Sequence, residues 1–393
     1  MEDDAIGDWG DPTLCERYSE DNAAYFHAVA PPIVQTTLFT FDSYDRYIEA
    51  AAKEGESYVY TRGLNPTTEI FEKKIAALER GERAKAFSSG MGAISAVLAS
   101  LLESGDHVLL VNNVYGPTTT YCGLLRKWGI ACDTVFVEDA GAIEAAIRDN
   151  TRIIYYESPS TQMMRLLDVE AIVAMAGRRG ILTMTDNTWA TPLYHKPLTH
   201  GVDICVHSCT KYIGGHSDTV GGVAVSSRGI MERVFEFGHQ FQGACIGPFE
   251  SWLLIRGLRT LPARLAWQEK ATRAVVALLS SHPKVRRVNH PLCYDGEQKR
   301  LAEKYLSGYS SLLSFELDTD SLDVIRRVVD GCRVFRIGVS WGGYESLVLP
   351  QYNGKNAERL RAANIPLGLV RIYVGLESAD DLVADLEAAL DRA

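Results

Sequence analysis

Two side chains in this 393-residue sequence stand out by type and spacing: Asp186 and Lys211, 25 residues apart, each at the end of a short β-rich run. A lysine kept from water forms Schiff bases with carbonyl groups, and an aspartate set against a pyridine nitrogen keeps it protonated, so that the ring accepts electrons. Taken singly, a solvated lysine and a helix-capping aspartate are the ordinary readings, and only the pair points to one cleft. Ser88-Ser89-Gly90-Met91-Gly92 lies between a strand and the helical run from Ala93. Its glycines can let backbone N–H groups converge at the positive end of that helix, where an anion such as phosphate binds. The segment is neither G-x-G-x-x-G nor a Walker loop, and a purely structural turn is its other use. Ser208 and Thr210 are hydroxyl donors suited to the same anion.

Further residues could complete such a site. Tyr115 follows the strand His107–Val111, where its ring can cover a flat ligand or simply cap the core. Arg371 sits among apolar neighbours in Leu369–Val374, and a half-buried arginine needs an acid, either a substrate carboxylate or a structural Asp or Glu. Ser208-Cys209-Thr210-Lys211 also fits S-x-x-K, but that acyl-transfer chemistry needs a downstream K-T-G, which the sequence lacks. Strand alternation sends Cys205, His207 and Cys209 to one face with no fourth metal ligand evident, so packing is the better use and no metal is expected. His216-Ser217-Asp218 holds hydrolase residue types, but a triad is assembled in space and not by adjacency.

The elements that must position these residues alternate. Helical patterns at Pro66–Arg80, Ala93–Glu103, Gly123–Trp128, Ala142–Arg148 and Val169–Arg179 interleave with strand patterns at Lys85–Phe87, His107–Val111, Thr134–Val137, Arg152–Tyr156, Ile181–Thr185 and Ile204–His207. That order predicts right-handed crossovers and a mostly parallel sheet, with ligands beyond the carboxyl ends of its strands. The junctions there carry polar residues: Ser88–Gly92, Tyr115–Pro117, Glu157–Pro159, Asp186–Thr188 and Ser208–Lys211. Three zones follow: residues 1–60, an arm lying on another domain or subunit; 61–257, the α/β domain; and 258–393, an α+β domain with a long helical stretch through Leu279 and a Gly-rich segment at Gly338–Gly343.

Composition sets the outer bounds. With 40 Lys+Arg against 50 Asp+Glu, a net charge of -10 and no basic cluster, nucleic-acid and anionic-membrane partners are not expected. The acidic start Met1-Glu2-Asp3-Asp4 is unlike a secretory or transit segment, and the longest apolar run is about ten residues where a membrane span needs roughly 20. Eight cysteines without framework spacing fit a reduced, cytoplasmic protein.

Together the motifs resemble the cystathionine synthase and lyase family, the pyridoxal-phosphate enzymes of cysteine and methionine metabolism. The matching segments, in order, are Tyr60 to Thr67, Ser88 to Met91, Tyr115 to Thr118, Asp186 to Pro192, Ser208 to Asp218, Ser340 to Leu347 and Arg371 to Gly375. The resemblance implies a fold type I PLP-dependent transferase-like α/β architecture, with the cofactor pyridoxal 5'-phosphate attached to Lys211, Asp186 at the pyridine nitrogen and Tyr115 stacked on the ring. It implies phosphate contacts from Gly90, Met91, Ser208 and Thr210, and from Tyr60 and Arg62 of a neighbouring subunit in a homotetramer of catalytic dimers. Ser340, Trp341 and Arg371 would take the amino-acid substrate. The Ser340-Trp341-Gly342-Gly343-Tyr344 segment and Pro117 look like the bacterial cystathionine β-lyase versions. The resemblance therefore implies β-elimination from cystathionine or related cysteine S-conjugates, with the γ-synthase, γ-lyase and sulfhydrylase activities as alternatives. A regulatory or scaffold role is the non-enzymatic alternative.

Overall fold

A computed structural model describes residues 9–392; the acidic start at residues 1–4 lies outside the described residues. Strand formation in the middle of the chain follows short apolar runs that bury almost completely, as β2 (His107–Val111) and β4 (Thr151–Glu157) do. With β1 (Arg83–Phe87), β3 (Ala131–Val135), β5 (Leu182–Asp186), β6 (Ile204–Ser208) and β7 (Gly222–Ser226) they form a seven-stranded sheet in the order β1-β7-β6-β5-β4-β2-β3. The pairs from β3 through β6 are parallel, and β7 runs antiparallel to both β6 and β1. The sequence reading omitted β7, because no helix separates it from β6. The chain leaves β6, makes the loop that carries Lys211 and returns directly beside it, pairing Ser208 with Gly222.

Helices cover both faces, as burial of a parallel sheet requires. One apolar layer joins the sheet to Pro66–Glu79, Val169–Arg178 and the first half of the long helix Pro248–Ser281. The other joins it to Gly90–Leu101 and Gly116–Leu124. The helix expected at Gly123–Trp128 begins instead at Gly116: Pro117 sits in its first turn, where a missing N–H leaves no intrahelical bond unmade, and Leu125–Trp128 continues it as a 3₁₀ turn.

A second sheet, β10-β11-β12-β9-β8, comprises β8 (Val285–Asn289), β9 (Leu312–Leu317), β10 (Arg336–Ile337), β11 (Leu347–Pro350) and β12 (Leu369–Tyr373). It packs on the helices Leu322–Gly331 and Ala379–Asp391 around its own core. The helix Pro248–Ser281 serves both cores, so the division drawn at 257/258 falls inside it. Within the first zone, residues 9–20 dock on the chain's own body. Leu14 and Cys15 are buried, Asp11 pairs with Arg80 and Lys196, and Glu20 pairs with Lys74 and Arg259. From residue 26 onward Phe26, Val29, Leu38, Tyr44, Tyr47 and Ile48 stand exposed. Among the described residues, no helix is long and apolar enough to cross a membrane.

Candidate functional site

The carboxyl ends of β1, β5 and β6 converge, and the expected residues sit there. Ser89 caps the helix Gly90–Leu101, its hydroxyl accepting from Gly92 N–H at 2.9 Å, so the amides of Gly90 and Met91 open that helix with no intrahelical acceptor. Gly90 lies flush against Ser208: a Cβ on Gly90 would stand 2.8 Å from Ser208 Cβ. Glycine at that position lets the helix start meet the end of β6. Thr210 is turned to the loop itself, its hydroxyl accepting from Gly221 N–H at 3.1 Å and lying 3.3 Å from Gly221 O. Met91 points to the next helix, where Thr118 Oγ1 donates to its sulfur at 3.8 Å.

Lys211 Nζ donates to Ser340 Oγ at 2.7 Å and lies 5.7 Å from the centre of the Trp341 ring. Trp341 meets Tyr212 edge to face at 5.3 Å. Burial, with the Arg371 charge, lowers the Lys211 ammonium to about 8 against a counter-pull from Asp186. The segment bearing Ser340 and Trp341 reaches this close because Gly342 has φ +94, and a Cβ there would stand 2.6 Å from the Lys211 backbone. Ser340 itself holds a left-handed φ of 72, a strained conformation for a serine. Its carbonyl accepts from Arg371 at 3.1 Å. Among the described residues no carboxylate pairs with Arg371, whose burial lowers its proton affinity. So the acid a half-buried arginine needs is not supplied by the described residues.

Asp186 ends β5 beside Glu157, its register partner on β4. Asp186 Oδ1 accepts from Thr188 N–H at 2.9 Å and from the Thr188 hydroxyl. Thr188 Oγ1 also accepts from Ser208 N–H at 2.7 Å, linking the ends of β5 and β6. Burial raises the Asp186 carboxyl above its ordinary range, and burial plus the Asp186 charge push Glu157 up to about 8. Glu157 accepts from Tyr115 N–H at 2.5 Å and from Thr161 Oγ1 at 2.6 Å, which fixes the half-exposed Tyr115 at the start of its helix.

The contacts of Tyr60 and Arg62 among the described residues lie elsewhere. The Arg62 guanidinium lies 5.4 Å from the Tyr60 ring centre and donates to Gln240 at 3.2 Å.

Three contributors were missed as individuals. Glu157 and Thr188 stood in polar strand-end junctions that were noted, without roles. Glu79 gave no signal at all. It ends the helix Pro66–Glu79 and lies wholly buried under the site, accepting from Asn187 Nδ2 at 2.9 Å and lying 2.6 Å from His207 Nε2. Glu79, Cys205 and His207 sit close enough to suggest a metal. The 2.6 Å contact is instead a carboxylate–imidazole hydrogen bond, too short to hold an ion between the two at about 2.0 Å from each.

The family model described as "Cys/Met metabolism PLP-dependent enzyme" matches residues 13–391. An L-methionine gamma-lyase of Fusobacterium nucleatum subsp. polymorphum is 36% identical over 374 residues, covering 93% of this chain and 94% of the relative. A cystathionine beta-lyase of Lactococcus lactis subsp. cremoris is 34% identical over 370 residues, covering 93% and 94%. The fold is similar to that of a Campylobacter jejuni protein described as an O-acetylhomoserine (thiol)-lyase, whose structure holds an N'-pyridoxyl-lysine-5'-monophosphate. The TM-score is 0.91 at 28% identity, over 98% of this chain and 100% of the other.

Proposed function

The chain belongs to the Cys/Met metabolism PLP-dependent enzymes, and within that family of carbon–sulfur chemistry we propose that it is a β-lyase acting on cystathionine or related cysteine S-conjugates. The residues present suit the cofactor. A partly buried lysine of lowered proton affinity, a partly buried carboxyl with no cation paired to it among the described residues, and a helix start with free amides beside Ser208 match an aldehyde, a ring nitrogen and a phosphate in turn. In this reading Lys211 would hold the aldehyde carbon, Asp186 would face the pyridine nitrogen, Tyr115 would lie against the ring, and Gly90, Met91 and Ser208 would hold the phosphate, joined by Thr210 once its hydroxyl turns from Gly221. Bound there, the protonated pyridine supplies a sink for the electron pair left at Cα when its proton is removed.

The chain's own groups do the rest. Arg371 takes the substrate α-carboxylate, in place of the acid that no described residue supplies. Once the substrate's own amine has replaced it on the aldehyde carbon, the Lys211 amine, half neutral at about pH 8, would accept the Cα proton, and Ser340 Oγ at 2.7 Å orients it. With sulfur on Cβ, the C–S bond then breaks and the thiolate leaves, taking a proton to become homocysteine when the substrate is cystathionine; the released aminoacrylate is hydrolysed by one water to pyruvate and ammonia.

The observation that carries the β assignment is the Trp341 indole beside Lys211 Nζ, held edge-on by Tyr212. Chemistry at Cγ requires the amine to work at Cβ as well as at Cα, and an indole held 5.7 Å from that amine favours a fixed amine that serves Cα alone. Incubation with cystathionine tests it: pyruvate with homocysteine is expected, whereas 2-oxobutanoate with cysteine would assign γ-elimination. The γ-lyase, γ-synthase and sulfhydrylase alternatives keep support from the identity to methionine γ-lyase.

The same reading makes the assembly a cytoplasmic homotetramer of catalytic dimers. The exposed apolar side chains from Phe26 to Ile48 support a subunit-covered arm, and the half-exposed Tyr60 ring with Arg62 turned to it and to Gln240 supports their serving a neighbour's phosphate. Sedimentation of the holoenzyme at tetramer mass is the expected result.

A further inference from the structure

Lys85 and Glu72 form a buried ion pair that the chemistry at Lys211 does not use, with Nζ and Oε2 3.1 Å apart. Lys85 stands in β1, an edge strand of the large sheet, between Ala84 and Ala86, and Glu72 reaches it from the helix Pro66–Glu79. Two charges taken out of water are costly where an apolar pair could pack instead, which points to a use that an apolar pair could not serve. The Glu72 carboxylate is fixed to the strand by its other oxygen, which accepts from Ala86 N–H at 2.8 Å. Lys85 Nζ also donates to the carbonyl of Gly63 at 3.3 Å. Two residues earlier on the same face of β1, Arg83 donates to the carbonyl of Gly55 at 2.7 Å. Both cations lie against the Phe235 ring, Arg83 at 5.7 Å and Lys85 at 5.2 Å from its centre. β1 thus clamps the segment 55–63 at both ends, and Tyr60 and Arg62 lie between the clamps. Their turn closes on itself, the amides of Gly63 and Leu64 donating to Tyr60 O at 2.9 and 3.2 Å. It passes from exposed Arg62 to buried Gly63 in one residue, and Lys85 holds it there.

We propose that Lys85, held by Glu72, is the positioning residue that sets the Tyr60–Gly63 turn in the form that a neighbouring subunit's cofactor phosphate needs. This rests on the assignment of Tyr60 and Arg62 to a neighbour's phosphate. The role has a direction. Lys85 acts on the neighbouring subunit's cradle and not on its own, although β1 runs on through Phe87 to the Gly90 turn of its own chain. Without the ammonium the Gly63 carbonyl is unheld, which leaves the Gln240 contact at 3.2 Å and the Tyr60 ring to direct Arg62.

The test is cofactor affinity in single and mixed assemblies. Holoenzyme is dialysed against graded pyridoxal phosphate, reduced with borohydride and read for cofactor fixed to Lys211, which gives a dissociation constant. Lys85→Met should raise that constant about tenfold, the weak end of losing a hydrogen bond to a charged group, and Lys85→Arg should recover most of the loss. Where the orphaned Glu72 charge keeps Lys85→Met from folding, the double variant Lys85→Met with Glu72→Gln removes both charges and should show the same tenfold loss. In assemblies co-purified with Lys211→Ala chains on a second tag, the Lys211 of a Lys85→Met chain can meet a turn whose own Lys85 is intact. A class of Lys211 sites with the wild-type constant should then appear, absent from Lys85→Met alone. No loss in Lys85→Met and the double variant, or a loss that persists at every Lys211 site of the mixed assembly, would overturn the proposal. Arg62→Ala, mixed in the same way, separates it from the shared-site reading. Restoration for Arg62→Ala but not for Lys85→Met sinks the positioning role alone, and restoration for neither sinks the shared site as well.

Discussion

The lowered proton affinity of Lys211 makes a prediction about how the apoenzyme captures its cofactor. Only the neutral amine attacks an aldehyde. With the ammonium at about 8 instead of the ordinary 10.5, the neutral fraction at pH 7 is about 300-fold larger, each unit of pKa being a factor of ten. The rate of covalent capture of pyridoxal phosphate should therefore climb about tenfold per pH unit up to pH 7.5 and level off above about 8. Stopped-flow absorbance measures it, and the same reaction with N-acetyl-lysine divides out the cofactor's own titration. The causes of the shift predict how the break moves. Burial acts first and the Arg371 charge second, while Asp186 opposes both. Arg371→Met should thus move the break upward and Asp186→Asn downward. A rate that keeps climbing past pH 9.5, or two variants that shift the break in the same direction, would refute this account of the amine.

Four further outcomes follow from the same contacts. Arg371→Met should also lower kcat/KM by roughly 10- to 150-fold, the loss of a charged hydrogen bond of about 1.5–3 kcal/mol, with most of it in KM. Glu79→Ala breaks a carboxylate–imidazole pair that is 0% and 1% exposed, and should cost about 3–5 kcal/mol, read as a lower midpoint in urea; a change under 1 kcal/mol would mean that His207 and Asn187 find other partners. Burial alone would raise the Glu79 carboxyl, but the hydrogen bonds from His207 and Asn187 and the His207 and Lys196 charges outweigh it and hold it below 4.5. The stability it contributes is therefore complete above about pH 4.5 and lost as pH falls through the folded value, and Glu79→Gln should flatten that acid limb. Gly342→Ala puts a methyl 2.6 Å from the Lys211 backbone at a φ of +94, and should lower both thermal stability, by about 1–3 kcal/mol, and turnover, because Ser340 and Trp341 move with it.

What the sequence made legible, and what it did not, divides along a physical line. Asp186, Lys211, Ser208 and the Gly90 turn could be found because an open parallel sheet delivers its functional groups where strands end, and a polar residue after an apolar run marks such an end. β3 was displaced, expected at Thr134–Val137 and found at Ala131–Val135, because an edge strand tolerates Cys132 and Asp133 where a central one demands apolar residues on both faces. β7 was lost because an antiparallel return needs no crossover helix to announce it. Glu79 was unreadable for a stronger reason. Its role depends wholly on His207, 128 residues away, and a glutamate at a helix end looks the same whether it meets solvent or a buried imidazole. The support beneath the site is therefore written in pairings that span strands and helices, and no local pattern carries them. Yet that support fixes the chemistry: Asn187 adjoins Asp186 and His207 adjoins Ser208, so one buried carboxylate holds the backbone on both sides of the proposed cofactor cradle. A substitution at Glu79 should therefore loosen the ring-nitrogen and phosphate ends together, and a variant that weakened one end alone would show that the two strands are positioned independently.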